Sequence, residues 1–435
     1  MLLNTIKINN TTSLQAFQLL RYGVLVLINM FLAKVGLSKE QIGVYETVLF
    51  ISGLFTFFWV SGMIQSMLPV VGDNSKKQSP ELFNVFLVLI GFSIFVVIIG
   101  FLFESSFRSF NAISSFPHYR LALFYAAIGA PGNLAEYIFL IRNEPRKILV
   151  YGLIVFSLQL FVVVAAILMG FGTLGAVYAL FAIALAKTLW VFYLVVKYSV
   201  LKVSKPFVLQ FLSLGLPLTG KMLVGGSASY IDGLIITSRF DLSSFVTFRY
   251  GARDLPLVTL MANGLSNSML PEFASREKLA HTLFLLKNRS RKLMHVLFPV
   301  TIVAILLSKP LFPLIFSAEF TQSADVFMVY LLTISSRILF PQTIAIGLRK
   351  TRALLVISFI ELSINVCLSL LLINYIGLVG VAWATVVAFV FEKLLIGFYI
   401  YYKESIKPTS YIPVLQYSLY MFFTAFSFFI AVKFL

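Results

Sequence analysis

Two arginines four residues apart, Arg249 and Arg253, lie inside an apolar stretch that also holds one acid, Asp254. On a continuous helix that spacing puts both guanidinium groups on one face, whereas Asp254, adjacent in sequence, points elsewhere. Like charges repel strongly where the dielectric is low, and an anionic ligand relieves that repulsion. Guanidinium forks bind phosphate oxygens bidentately, so the chemistry suggested is recognition of a phosphate or pyrophosphate.

Further ionisable groups occur in apolar surroundings. Lys221, Gly225 and Asp232 fall on one side of a predicted helix, with Ser229 near the same stripe. Lys221 and Asp232 are about three turns apart, too far for a direct bond on one straight helix. Arg21, Arg337, Lys187 and Lys393 are also embedded in apolar runs. A charge at a helix centre costs about 2.5–3.5 kcal/mol on the insertion scale, so such side chains should face a bundle interior or a wet cavity. Arg253, Arg249, Lys221 and Arg21 are therefore the candidate anion contacts. Glu46, Glu136, Asp254, Glu361 and Glu392 are candidate structural partners or ligands for a coupling cation, H+ or Na+, as is Asp232. Structural pairing competes with ligand contact at every one of these positions. No other cofactor is expected: the lone Cys367 and the scattered His118, His281 and His295 offer neither a disulfide framework nor metal-ligand spacing.

The elements that must carry these side chains are membrane helices. Of the 435 residues, 60% are hydrophobic and 12% charged, and the apolar residues come in blocks long enough to cross a bilayer. Turn and charge signals predict helices near 14–34, 41–70, 82–103, 119–141, 148–170, 173–196, 208–236, 243–272, 293–316, 322–347, 351–375, 378–402 and 412–434. By rise per residue, Arg253 lies about 15 Å from the outer end of its helix and Lys221 about 20 Å from the inner end, both near the midplane. With a cytoplasmic N-terminus, inside segments hold about 20 Lys and Arg, including Lys7, Lys76, Lys77, Arg142, Arg146, Lys147 and Arg276, and outside segments about 7, including Arg108. That bias accounts for much of the net charge of +17 without nucleic-acid binding. The segment Lys278 to Leu286 is expected to be a loop or a short amphipathic helix at the inner leaflet.

The chain repeats itself. Gly62-Met-Ile-Gln-Ser-Met-Leu-Pro69 matches Gly264-Leu-Ser-Asn-Ser-Met-Leu-Pro271, and Gly172-Thr-Leu-Gly175 matches Gly377-Leu-Val-Gly380. Each unit has six predicted spans, so both enter the membrane in the same orientation. The expected fold is an all-α polytopic membrane protein of two parallel six-helix lobes, 1–200 and 201–404, with a thirteenth helix in 405–435. The glycines permit close helix approach, and Pro69 and Pro271 mark helix ends.

Leu37-Ser-Lys-Glu-Gln-Ile-Gly-Val-Tyr45 resembles the opening of polysaccharide flippases of the MATE-like multidrug/oligosaccharidyl-lipid/polysaccharide superfamily. Asp232-Gly-Leu-Ile-Ile, Phe248-Arg-Tyr-Gly-Ala-Arg-Asp-Leu-Pro256 and Ser268-Met-Leu-Pro271 are similar to the helix seven and eight region of the same proteins. The resemblance implies two lobes around a cavity and export of a polyprenyl-pyrophosphate-linked glycan by alternating access. It maps a cavity arginine of helix eight onto Arg253 and one of helix one onto Arg21. It further implies a bacterial cytoplasmic membrane, lipid-linked oligosaccharide and membrane lipids as partners, and contact with polysaccharide polymerase or assembly machinery. A multidrug exporter of the same fold is the nearest alternative, although organic cations favour carboxylates and aromatics over arginine. A membrane glycosyltransferase or polymerase would need catalytic acids, and no DxD pair occurs.

Overall fold

Asn9 starts the first helix with a capping box: its side chain accepts from the Thr12 N–H at 2.8 Å, and its own N–H donates to Thr12 Oγ1 at 3.1 Å. The computed structural model describes residues 9–71, 79–109, 116–274 and 278–434. Among these, regular structure is almost wholly helical, with one isolated bridge between Ser79 and Ser199. Lys7, Lys76, Lys77 and Arg276, and the side chain of Arg108, lie outside the described residues. Two compact units are formed: Met1–Gly226 with Asp241–Ser243, and Ser227–Phe240 with Ser244–Leu435.

The first unit contains α1 (Asn10–Lys34), α2 (Lys39–Val71), α3 (Glu81–Ser109), α4 (Tyr119–Gly129), α5 (Ala135–Ile141), α6 (Pro145–Leu168), α7 (Gly172–Tyr198) and α8 (Lys205–Gly226). Pro131, which has no N–H to donate, converts the chain between α4 and α5 into one 3-10 turn, Pro131–Leu134. α2 packs against α8 through small residues. A Cβ added at Gly62 would collide with Thr219, and one at Gly226 with Phe57. In lipid such close approach replaces the hydrophobic drive that joins helices in water. The connection from α7 to α8 is tied to the start of α3: Asn84 Nδ2 donates to Lys202 O at 2.9 Å, the Ser204 N–H donates to Asn84 Oδ1 at 2.9 Å, and Ser199 Oγ donates to Ser79 O at 2.6 Å.

The second unit contains α9 (Ala228–Arg239), α10 (Leu242–Gly251), α11 (Pro256–Met269), α12 (Leu279–Ile315), α13 (Thr321–Leu331), α14 (Ile334–Arg337), α15 (Pro341–Gly347), α16 (Thr351–Glu404), α17 (Pro408–Tyr411) and α18 (Val414–Phe434). α16 is a hairpin rather than one rod. Ile376 and Gly377 leave helical geometry, Gly377 at φ 59 and ψ −138, and the two halves return alongside each other. Asn365 Nδ2 donates to Thr385 Oγ1 at 3.1 Å, and Lys350 Nζ at one end pairs with Glu404 at the other at 2.7 Å. Its core includes Met269, Phe273, Met294, Phe298, Ile344, Ile396 and Ile400.

The internal repeat has a backbone signature. Gly172 and Gly377 both adopt positive φ, 61 and 59, at the turns into their helices. A Cβ on Gly175 or Gly380 would strike the preceding turn in each case, against Phe171 and Leu372 respectively.

Ten described helices are long and apolar enough to span a membrane, or eleven with the bent pair Ala318–Arg337 and Pro341–Gly347 counted as one. The expected count of about thirteen spans is not confirmed by this criterion, which takes the α16 hairpin as one helix and leaves out the interrupted eighth. The seventh breaks at Ser227, the eighth between Gly251 and Pro256, and the tenth before Pro341. Proline cannot donate and disfavours helix in the preceding residue, which explains the second and third breaks. Leu279 to Leu286 is neither a loop nor a separate surface helix: α12 runs unbroken from Leu279 for 37 residues.

Candidate functional site

The break between α10 and α11 changes how the arginines are presented. Arg249 remains in the last turn of α10, but Arg253 lies past its end, so the two do not share a continuous helical face. Arg253 instead folds back. Its Nε donates to the Arg249 carbonyl at 3.1 Å, using an acceptor that the broken helix leaves open, and its guanidinium lies 5.4 Å from the Tyr250 ring centre. Tyr250 is also stacked on Phe320, with ring centres 4.6 Å apart. The α11 N-terminus follows two residues later, and a helix start carries partial positive charge from its free N–H groups.

Asp254, next in sequence, is held by other partners. It accepts from Arg337 Nη2 at 2.6 Å and from Thr333 Oγ1 at 2.9 Å, while Arg337 also lies 4.9 Å from the Phe389 ring. Asp254 and Arg337, separate candidates for a cavity or coupling role in the sequence, are thus one ion pair joining the α10–α11 break to α14.

Asp232 is the most enclosed ionisable group among the described residues of the second unit, with no exposed surface. Thr385 Oγ1 donates to Asp232 Oδ2 at 2.8 Å, and Thr385 in turn accepts from Asn365. Asn365, Ser369 and Tyr330 surround the same carboxylate. Asp232 Oδ1, Asn365 Oδ1 and Ser369 Oγ are buried without a hydrogen-bond partner, and the Val381 carbonyl lies 3.2 Å from Thr385 Oγ1. Among the described residues no Lys or Arg forms an ion pair with Asp232. A buried carboxylate among neutral oxygens, without a protein cation, suits a small hard cation or a proton. Asn365, Ser369 and Thr385 escape sequence reasoning because they are neutral, and Thr385 stands 153 positions from Asp232. The available signal is a polar stripe, Glu361, Asn365 and Ser369, recurring every four residues in an apolar helix.

One turn before Asn365, Glu361 is 7% exposed and its Oε1 has no hydrogen-bond partner. Glu392 and Lys393 lie within electrostatic range of it. Lys393 Nζ donates to Glu392 at 2.7 Å and to Gln342 at 3.0 Å.

In the first unit Glu136 is 3% exposed, on α5, and interacts electrostatically with Lys187 of α7 and Arg21 of α1. Lys187 Nζ also lies 3.4 Å from Asn133 Oδ1. Arg21 and Lys221 are both exposed, Lys221 on α8. Glu46 is buried and accepts from Asn29 Nδ2 at 2.8 Å. No group of three or more His, Cys, Asp or Glu among the described residues could hold a metal ion.

The model of a family described as "Polysaccharide biosynthesis protein" matches residues 31–325. No curated protein matches the sequence significantly. Among solved structures, "Lipid II flippase MurJ, inward closed conformation" superposes with a TM-score of 0.72 at 15% identity, covering 97% of this chain and 93% of that one. An inward-facing multidrug resistance MATE family transporter of the MOP superfamily gives a TM-score of 0.66 at 15% identity, covering 88% and 94%. At such identity the similarity shows a common fold.

Proposed function

The chain belongs to the polysaccharide biosynthesis protein family, and from that premise we propose that it is a flippase for a polyprenyl-pyrophosphate-linked oligosaccharide. It works by alternating access between two parallel lobes of a bacterial cytoplasmic membrane protein whose N-terminus is cytoplasmic. It makes and breaks no covalent bond. The observation that carries this reading is the cationic break of the eighth helix: Arg249, Arg253 and the α11 N-terminus gather positive charge on a discontinuous helix. Discontinuous transporter helices direct their half-helix N-termini at anionic groups of the cargo. Pyrophosphate is common to lipid-linked glycans of every sugar composition, so a guanidinium site recognises the carrier and leaves glycan choice to other surfaces. Lys221 and Arg21 are further cargo contacts in this reading.

The Asp232 site supplies the coupling. A single carboxylate with Asn365, Ser369, Thr385 and the Val381 carbonyl matches one unit of positive charge, Na+ or H+, whereas calcium sites draw on several carboxylates. Binding there stabilises whichever conformation encloses the ion and so ties cargo movement to an ion gradient.

The test is Arg253→Ala in cells that make a surface polysaccharide, with Arg253→Lys as the charge-keeping control. Arg253→Ala at normal abundance should leave lipid-linked oligosaccharide on the cytoplasmic leaflet and cut polysaccharide output at least about tenfold, the worth of one bidentate charge-assisted contact. Unchanged output would refute the anion site.

A further inference from the structure

α6 and α7 are consecutive helices of the first unit, and their exposed side is hollowed into a groove of about 460 Å3. From Arg146 to Leu158 it follows α6 for about 18 Å at 1.5 Å per residue, slightly more than the roughly 15 Å depth of one leaflet. Val150, Ile154 and Leu158 of α6 and Trp190 of α7 form its walls, and each is exposed.

One end differs in chemistry. Arg146 and Lys147 stand in the first turn of α6 at the groove mouth. Lys147 pairs with Glu144 at 2.9 Å and Arg142 lies 3.8 Å from the Tyr198 ring centre, while none of the described acids pairs with Arg146. Three basic residues against one acid leave this end cationic. One turn deeper, Tyr151 lines the groove. It is 6% exposed, held by Phe17 and Phe139, and its buried hydroxyl has no hydrogen-bond partner. Lys187 of α7 also lines the groove, with its ammonium 3.4 Å from Asn133 Oδ1 and within electrostatic range of Glu136.

We propose that this groove binds an anionic glycerophospholipid of the surrounding membrane, with its phosphate on Arg146 and Lys147 and one acyl chain along Ile154 and Leu158. The order of groups down the groove matches the order down the lipid. Cations meet phosphate at the interface, and the exposed side chains of Val150, Ile154, Leu158 and Trp190 meet the chain. The groove's run of about 18 Å along α6 suits a single acyl chain within one leaflet. The groove is assigned independently of the transport reading, because neither Arg249, Arg253 nor Asp232 takes part.

The experiment reconstitutes the full chain in nanodiscs containing phosphatidylglycerol or phosphatidylcholine with a photoactivatable acyl chain, and maps the labelled peptides. Phosphatidylglycerol should label α6 and α7 on the order of tenfold more than phosphatidylcholine, and the Arg146→Ala, Lys147→Ala double variant should remove that preference. Ile154→Trp, which fills the groove with the basic end intact, should lower labelling by both lipids. Equal labelling by the two lipids overturns the proposal, as does a preference that survives the double variant. Displacement of phosphatidylglycerol by stoichiometric polyprenyl phosphate also overturns it and assigns the groove to cargo.

Discussion

The contact between Asp254 and Arg337 illustrates how charge is managed at single positions in this protein. Both residues look anomalous in an apolar sequence, and their 2.6 Å contact spans 83 positions. Spacing on one helix could not reveal it. The same limit hides the donors around Asp232, which are neutral and come from α13 and both arms of α16. What spacing did identify was that these charged residues need an enclosed or wet environment. Removing either Asp254 or Arg337 by alanine should destabilise the purified protein. The double variant should lose less than the sum of the singles, with a coupling of about 0.5–3 kcal/mol in detergent unfolding; additive losses would mean that the pair does not hold the break to α14. At Asp232, Thr385→Val keeps volume but removes the hydroxyl, and should weaken Na+ or H+ dependence of transport at least about tenfold, whereas Thr385→Ser should retain it. Equal ion dependence in both variants would exclude Thr385 from the coupling site.

At the scale of elements, glycine and proline carry much of the legible information. The matched segments beginning at Gly172 and Gly377 place positive φ at equivalent turns, so the repeat seen in the letters is also a repeat of backbone geometry. Pro256 and Pro341 sit at the starts of α11 and α15, and each ends the helical run ahead of it. Hydropathy does not show these breaks, because a long apolar run carries the same average value whether or not it is interrupted. α12 is the converse case: charged residues at 287–292 resemble a surface loop, yet lie in an unbroken helix whose apolar stripe, Leu283, Leu286, Leu293 and Leu297, packs into the core. Gly377 permits a sharp test, since φ 59 with ψ −138 is a region essentially restricted to glycine. Gly377→Ala should cost about 1–3 kcal/mol in detergent unfolding. Gly377→Asn should not rescue it, because asparagine tolerates the left-handed helical region and not this one. Rescue by asparagine would mean that the turn relaxes to ordinary left-handed geometry.

For the whole molecule, orientation in the bilayer follows from which hairpin turns carry charge. The turn joining α6 to α7, Met169 to Phe171, and the turn at Ile376 and Gly377 contain no ionisable residue, whereas the opposite ends of those helices gather Arg142, Arg146 and Lys147 in one case and Arg349, Lys350, Arg352, Lys403 and Lys407 in the other. The Lys350–Glu404 contact brings both ends of α16 to one membrane face, so all five basic residues of the second group act on the same side. Short loops rich in Lys and Arg are retained in the cytoplasm, so each hairpin by itself predicts a cytoplasmic basic end. Phosphatase fusions after Asn143 and Ser405 should therefore be inactive, and one after Gly170 should be active, in a reporter that folds only outside the cytoplasm. Ser405 carries particular weight because it follows the doubled α16. If α16 crossed once instead of twice, the Ser405 fusion would be active while the Asn143 fusion stayed silent, and the parallel insertion of the two repeats would fail with it.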